Sequence, residues 1–118
     1  MSAMERFEIA PADSIAPGSM AAFDAGGRRV LVCNVAGEFH SVDELCPHLA
    51  IPLGQGRIDG TQVTCPGHGS VFDVVSGECV RWIGRKPGLL AKVLSSAPSS
   101  PVKHPTQVID GIVHVDLP

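Results

Sequence analysis

The density and placement of turn-forming residues constrain this chain more than any other feature. Thirteen glycines and ten prolines fall among 118 residues. A helical bundle cannot absorb so many breakers, whereas short strands joined by tight turns can. The breakers also sit where hairpins need them. Ala25-Gly26-Gly27 lies between the strand-like runs Met20–Asp24 and Arg28–Val35, and Ala36-Gly37-Glu38 precedes Phe39–Asp43. Asp59-Gly60 divides Arg57-Ile58 from Thr61–Thr64, Ser76-Gly77 divides Ser70–Asp73 from Glu78–Trp82, and Asp110-Gly111 divides Gln107–Ile109 from Ile112–Leu117. Pairs of this kind supply the positive φ angles that two-residue hairpin loops demand. A first strand is expected at Arg6–Ala10. The sequence therefore predicts an all-β, antiparallel fold, with at most one short helix near 87–95, where Pro87-Gly88-Leu89-Leu90 opens a helix-compatible run.

Length sets a single domain, residues 1–118. A hydrophobic content of 44% with 18% charged residues excludes a disordered chain. The formal charge of −3 excludes a basic nucleic-acid footprint, and one Trp with no Tyr excludes a stacking platform for single strands. The first ten residues, MSAMERFEIA, lack the apolar stretch of a secretory signal. No apolar run approaches the roughly 20 residues of a membrane span. A soluble, cytoplasmic protein without membrane or nucleic-acid partners is expected. In a reducing compartment its four cysteines (Cys33, Cys46, Cys65 and Cys79) are more suited to metal binding or burial than to disulfides.

Two of these cysteines stand beside histidines. Cys46-Pro47-His48 and Cys65-Pro66-Gly67-His68 each offer one thiolate and one imidazole from a proline-stiffened loop. The Asp59-Gly60 hairpin between them can bring the loops side by side. Two metal readings compete. A structural zinc site takes two cysteines and two histidines, but its half-sites usually pair like with like. Mixed half-sites suit a two-iron cluster in which the thiolates take one iron and the imidazoles the other.

The stretches Cys46-Pro47-His48-Leu49 and Cys65-Pro66-Gly67-His68-Gly69-Ser70-Val71-Phe72-Asp73, followed by Ser76-Gly77, resemble the cluster loops of Rieske proteins. They are most similar to those of the soluble Rieske-type ferredoxins that serve bacterial ring-hydroxylating oxygenases. The resemblance extends from Phe7 to the closing strand and implies the Rieske iron–sulfur fold. It implies a cluster-binding subdomain at about 43–82, on a base formed by 1–42 and 83–118. It also implies one [2Fe–2S] cluster per chain, with Cys46 and Cys65 on the buried iron and His48 and His68 on the outer iron. The positive charge of two ferric ions is then cancelled by two sulfides and two thiolates. An added electron enters a neutral core, which raises the potential above that of all-cysteine ferredoxins.

High-potential relatives carry an extra cysteine in each loop. Ile51 and Gly67 hold those positions here. They also place Ser and Tyr hydroxyls against sulfur; Ser70 matches the first, while Phe72 fills the second without a hydroxyl. Fewer hydrogen bonds to sulfur imply a potential at the low end of the Rieske range, about −150 mV. Pro66 and Gly67 should shield the cluster, and Pro47, Leu49 and Ala50 are docking candidates beside the histidines. Gly54 and Gly56 let the backbone turn close to the cluster.

The remaining candidates receive structural readings. Cys33 is a buried strand thiol, Cys79 a structural strand residue, and His40, His104 and His114 are surface or internally satisfied histidines. Arg81, Arg85 and Lys86 around Trp82 form a solvated basic face. The stretch from about Arg81 to Ala97 exceeds what this group of ferredoxins carries there, and Pro98-Ser99-Ser100-Pro101 takes the place of the proline loop over the cluster.

The resemblance implies an electron carrier rather than an enzyme: a monomer linking a flavin-dependent NAD(P)H ferredoxin reductase to a terminal oxygenase component. The chain is too short to be the oxygenase, and it lacks a second two-histidine, one-carboxylate iron motif. The competing reading is a small Rieske subunit of a multi-subunit reductase, such as a nitrite reductase.

Overall fold

The computed structural model describes residues 4–45, 52–66, 69–81 and 101–118. Its strands are β1 (Glu5–Pro11), β2 (Met20–Ala25), β3 (Arg28–Val35), β4 (Glu38–Asp43), β5 (Arg57–Asp59), β6 (Gln62–Thr64), β7 (Val71–Asp73), β8 (Cys79–Arg81), β9 (Lys103–His104), β10 (Thr106–Ile109) and β11 (Ile112–Leu117). Two 3₁₀ turns, Ala12–Ser14 and Leu53–Gln55, complete the regular structure. Among the described residues there is no α-helix, and the helix expected near 87–95 lies outside them.

All strand pairs are antiparallel, in three sheets ordered β1-β11-β10, β2-β3-β4-β9 and β5-β6-β7-β8. The middle sheet explains the uninterrupted apolar run Val30–Val35. Side chains alternate across a strand, so one burial face demands alternation and two demand a continuous run. Val30 and Val32 point into a core with Ala25, Val113, Val115 and Leu117. Leu31 and Cys33 point the other way, into a core with Val42, Leu53, Val63, Cys65, Phe72 and Val74. Strand β3 is thus the shared wall of two cores. Burying each such Val or Leu side chain stabilises the fold by about 1.5–3 kcal/mol.

The third sheet packs on the middle one through a cross-strand row, flanked by Cys65 and Val74. Ile58 faces Val63, Val63 faces Phe72, and Phe72 faces Cys79. Directly opposed residues share a sheet face, so all four meet the middle sheet together.

The hairpin signals hold with one slip. Asp59 pairs with Gln62, so the β5–β6 loop is Gly60-Thr61 rather than Asp59-Gly60. A glycine with positive φ at the first loop position (Gly60, φ 63) satisfies a two-residue hairpin. Thr61 is held in the loop by its hydroxyl, which donates to Asp73 Oδ2 (2.9 Å), and by its carbonyl, which accepts from the Val74 N–H (2.9 Å). Strand β9, which no periodicity announces, forms because Lys103 and His104 pair with Val42 and Ser41 at the edge of the middle sheet.

Candidate metal centre

The first candidate loop begins and ends on paired backbone. The Glu44 N–H donates to the Arg29 carbonyl (3.2 Å), and the Leu53 N–H donates to the Glu44 carbonyl (2.8 Å). Between these bonds Leu45 and Pro52 form an isolated antiparallel bridge. The stem then winds into the 3₁₀ turn, which the Gly56 N–H closes onto the Leu53 carbonyl (3.0 Å) and which sinks Leu53 fully into the core. The two residues that flank positions 46–51, Leu45 and Pro52, are therefore fixed against each other. Cys46, Pro47, His48, Leu49 and Ala50 lie outside the described residues.

The second loop is anchored as firmly. The Cys65 N–H donates to the Ser70 carbonyl (2.8 Å), and the Gly69 N–H donates back to the Cys65 carbonyl (3.1 Å). Cys65 is 1% exposed and Ser70 fully buried, while Pro66 stands exposed on the loop. Phe72 is buried in the middle of the cross-strand row. Gly67 and His68 lie outside the described residues.

The two stems touch at Gly56. A Cβ there would lie 1.9 Å from the Thr64 carbonyl oxygen and 3.2 Å from Pro66 Cδ. Only a residue without a side chain allows this approach. Leu53 from one stem and Cys65 from the other also share one core.

The other cysteines and histidines separate from this site as their sequence contexts suggest, with one exception. Cys33 is fully buried, and desolvation pushes its thiol up to about 12, so it stays protonated and unsuited to metal. Cys79 is half-buried at the end of the cross-strand row. His104 is buried and satisfied, its Nε2 lying 2.7 Å from Asp43 Oδ1. His40 is half-buried beside Glu38, and its pKa is lowered first by burial and then by Lys103. His114 is the exception: its Nδ1 is buried without a hydrogen-bond partner among the described residues. No competing group of three or more His, Cys, Asp or Glu side chains that could hold a metal ion occurs among the described residues.

A two-loop iron–sulfur site needs soft donors, loop roots fixed at short range and a floor closed to water. Cys65 supplies a donor in a buried setting, the Gly56–Thr64 crossing sets the short range, and Leu53, Val63 and Phe72 close the floor. The residues present fit a cluster of this kind.

Comparison with known proteins leads to the same place. A family described as "Rieske [2Fe-2S] domain" matches residues 5–98. The ferredoxin component of biphenyl 2,3-dioxygenase from Rhodococcus jostii is 35% identical over 71 residues, 60% of this chain and 66% of that protein. Apoptosis-inducing factor 3 of Mus musculus is 36% identical over 61 residues, 52% of this chain but 10% of that protein. The chain thus spans just under two thirds of one relative and a small part of the other. The solved structure of a ferredoxin from Sphingomonas yanoikuyae B1 covers 97% of this chain and 100% of its own, with a TM-score of 0.77 and 27% identity. The chain belongs to the Rieske [2Fe-2S] domain family, whose cofactor is a Rieske-type [2Fe–2S] cluster.

Proposed function

We propose that this chain is a one-electron carrier that takes an electron from a flavin-dependent NAD(P)H ferredoxin reductase and delivers it to a terminal oxygenase component. The observation that carries the reading is the crossing of the two loop stems at Gly56, over a core that buries Cys65. Such a frame brings the roots of the two proposed ligand loops to one point. The ferredoxin components among its relatives support the same role.

In this reading Cys46 and Cys65 hold one iron, and His48 and His68 hold the other. When bound, the cluster supplies a centre that accepts and releases a single electron. The protein supplies rigidity and exclusion of water. Ser70 is fully buried and its carbonyl accepts from the Cys65 N–H; in this reading its hydroxyl serves the sulfur side of the cluster, and Phe72, buried in the same core as Cys65, has no hydroxyl to offer. Pro66 and Gly67 shape the second loop, while Pro47, Leu49 and Ala50 meet partners. Among the described residues no helix is long and apolar enough to cross a membrane; the proposed carrier works as a monomer in the cytoplasm.

Electron paramagnetic resonance of the dithionite-reduced protein, with iron and acid-labile sulfide analysis, tests this reading. Equal iron and sulfide with an average g below the free-electron value are expected. A colourless, zinc-containing protein contradicts it. His48→Ala and His68→Cys should lose or transform the signal, and Cys33→Ser should keep it. Purification free of other subunits is expected of a shuttle, whereas a stable complex with a reductase favours the subunit reading.

A further inference from the structure

A buried charge stands at the root of the first loop. Glu44 is two residues before Cys46, and its side chain is only 4% exposed. Burying a carboxylate costs several kcal/mol unless it is paired and hydrogen-bonded. Here Arg29 does both: its Nε and one terminal nitrogen each lie 2.9 Å from Glu44 Oε1. The other oxygen, Oε2, lies against Gly54, where an added Cβ would be 2.8 Å away. The backbone of the same residue accepts from Leu53 and donates to Arg29.

One residue thus joins three pieces of chain: the start of β3, the exit from β4 and the returning stem of the loop. A surface ion pair would contribute little here. Here the carboxylate is buried while the guanidinium is half-exposed, and the pair ties β3 to the residue that follows β4, so its use is to hold the root of the loop in one position. The neighbouring charges are arranged in parallel with it. Asp43, the preceding residue, meets Arg28 (3.4 Å) and His104 (2.7 Å).

We infer that the Glu44–Arg29 pair positions the first ligand loop and keeps its root electrically neutral, which makes Glu44 and Arg29 positioning residues for the metal centre. The inference rests on the proposal that Cys46 and His48 are ligands. The physical consequence has a sign. Removing the carboxylate leaves Arg29 as an unbalanced cation at the root of the ligand loop, and an added positive charge on that side favours the reduced form. Removing the guanidinium does the opposite.

The test uses the purified, cluster-loaded protein and reads chelator-driven iron loss and midpoint potential. Glu44→Ala should lose iron about 10–100-fold faster than the parent chain, the range typical of groups that orient metal ligands. Arg6→Ala, which removes the exposed Arg6–Asp116 pair (2.9 Å) far along the chain, should lose iron at the parent rate. Glu44→Gln, which keeps the shape, should raise the potential, and Arg29→Gln should lower it. If Glu44→Ala fails to fold, the two glutamine variants decide alone. Iron loss from Glu44→Ala no faster than from Arg6→Ala, or potentials that do not move in opposite directions, would overturn the inference. A parent protein lacking iron and sulfide would instead refute the ligand assignment beneath it.

Discussion

Gly56 is the residue where folding and chemistry meet. Its missing side chain lets the returning stem of the first loop lie on the Thr64 carbonyl, which belongs to backbone and cannot swing aside. Gly56→Ala should therefore destabilise the protein by about 1–3 kcal/mol through overpacking and reduce iron content by spreading the stems. Gly60→Ala offers the contrast. Its φ of 63 penalises a side chain, but nothing lies within 4 Å of the new Cβ. A loss of about 1–2 kcal/mol with full iron content is expected there. Thermal unfolding and iron analysis on the two variants separate the effects. At this scale the sequence was legible where chemistry demands particular residue types at particular spacings: the two Cys–His pairs pointed to the family that the comparison shows. Glu44 was not legible. Beside Asp43 it reads as a solvated charge, and its burial depends on Arg29, which stands fifteen residues away in sequence and reaches it across strands.

Strand β3 organises the elements, because it faces two cores at once. Leu31→Ala and Leu117→Ala both empty buried space, and each should cost about 2–5 kcal/mol. They differ in what lies beyond. Leu31 shares its core with Leu53 and Cys65 under the loop stems, whereas Leu117 belongs to the core on the other side of the middle sheet. Denaturant unfolding should show similar losses, and only Leu31→Ala should shed iron at ambient temperature. Equal iron retention in the two variants would argue against two separate cores. The hairpins were legible because turn chemistry is local, as Gly26-Gly27 and Asp110-Gly111 show. The one-residue slip at Gly60-Thr61 arose from a tertiary bond, Thr61 to Asp73, that no local pattern encodes. Strand β9 was missed for a similar reason: two residues carry no period, and their pairing is dictated by β4.

At the scale of the whole molecule, the middle and third sheets are also tied through β9 and the turn after β7. Lys103 Nζ donates to the Val75 carbonyl (2.5 Å), and His40 lies among Lys103, Glu38 and Asp73. Burial and Lys103 hold the His40 pKa below its ordinary 6.5. The unfolded chain therefore takes up this proton first as pH falls. Stability should be complete above pH 6.5 and decline below it, and His40→Gln should flatten that part of the curve. Asp73 has a separate window. Hydrogen bonds from Ser76 and Thr61 outweigh its partial burial and lower its pKa from 3.8, so its contribution is lost only as pH falls below 3.8. Urea unfolding across pH resolves the two steps.

The residues around the site also set what the proposed carrier can drive. Phe72 brings no hydroxyl to the site, and neither Ile51 nor Gly67 provides a cysteine for a bridge between the loops. The midpoint potential of the purified protein, read by electron paramagnetic resonance at a series of poised potentials, tests whether the chain holds a low-potential Rieske cluster. A Rieske signal with a midpoint of about −150 mV is expected of a carrier that accepts electrons from a reduced flavin; a midpoint above about +100 mV would contradict it.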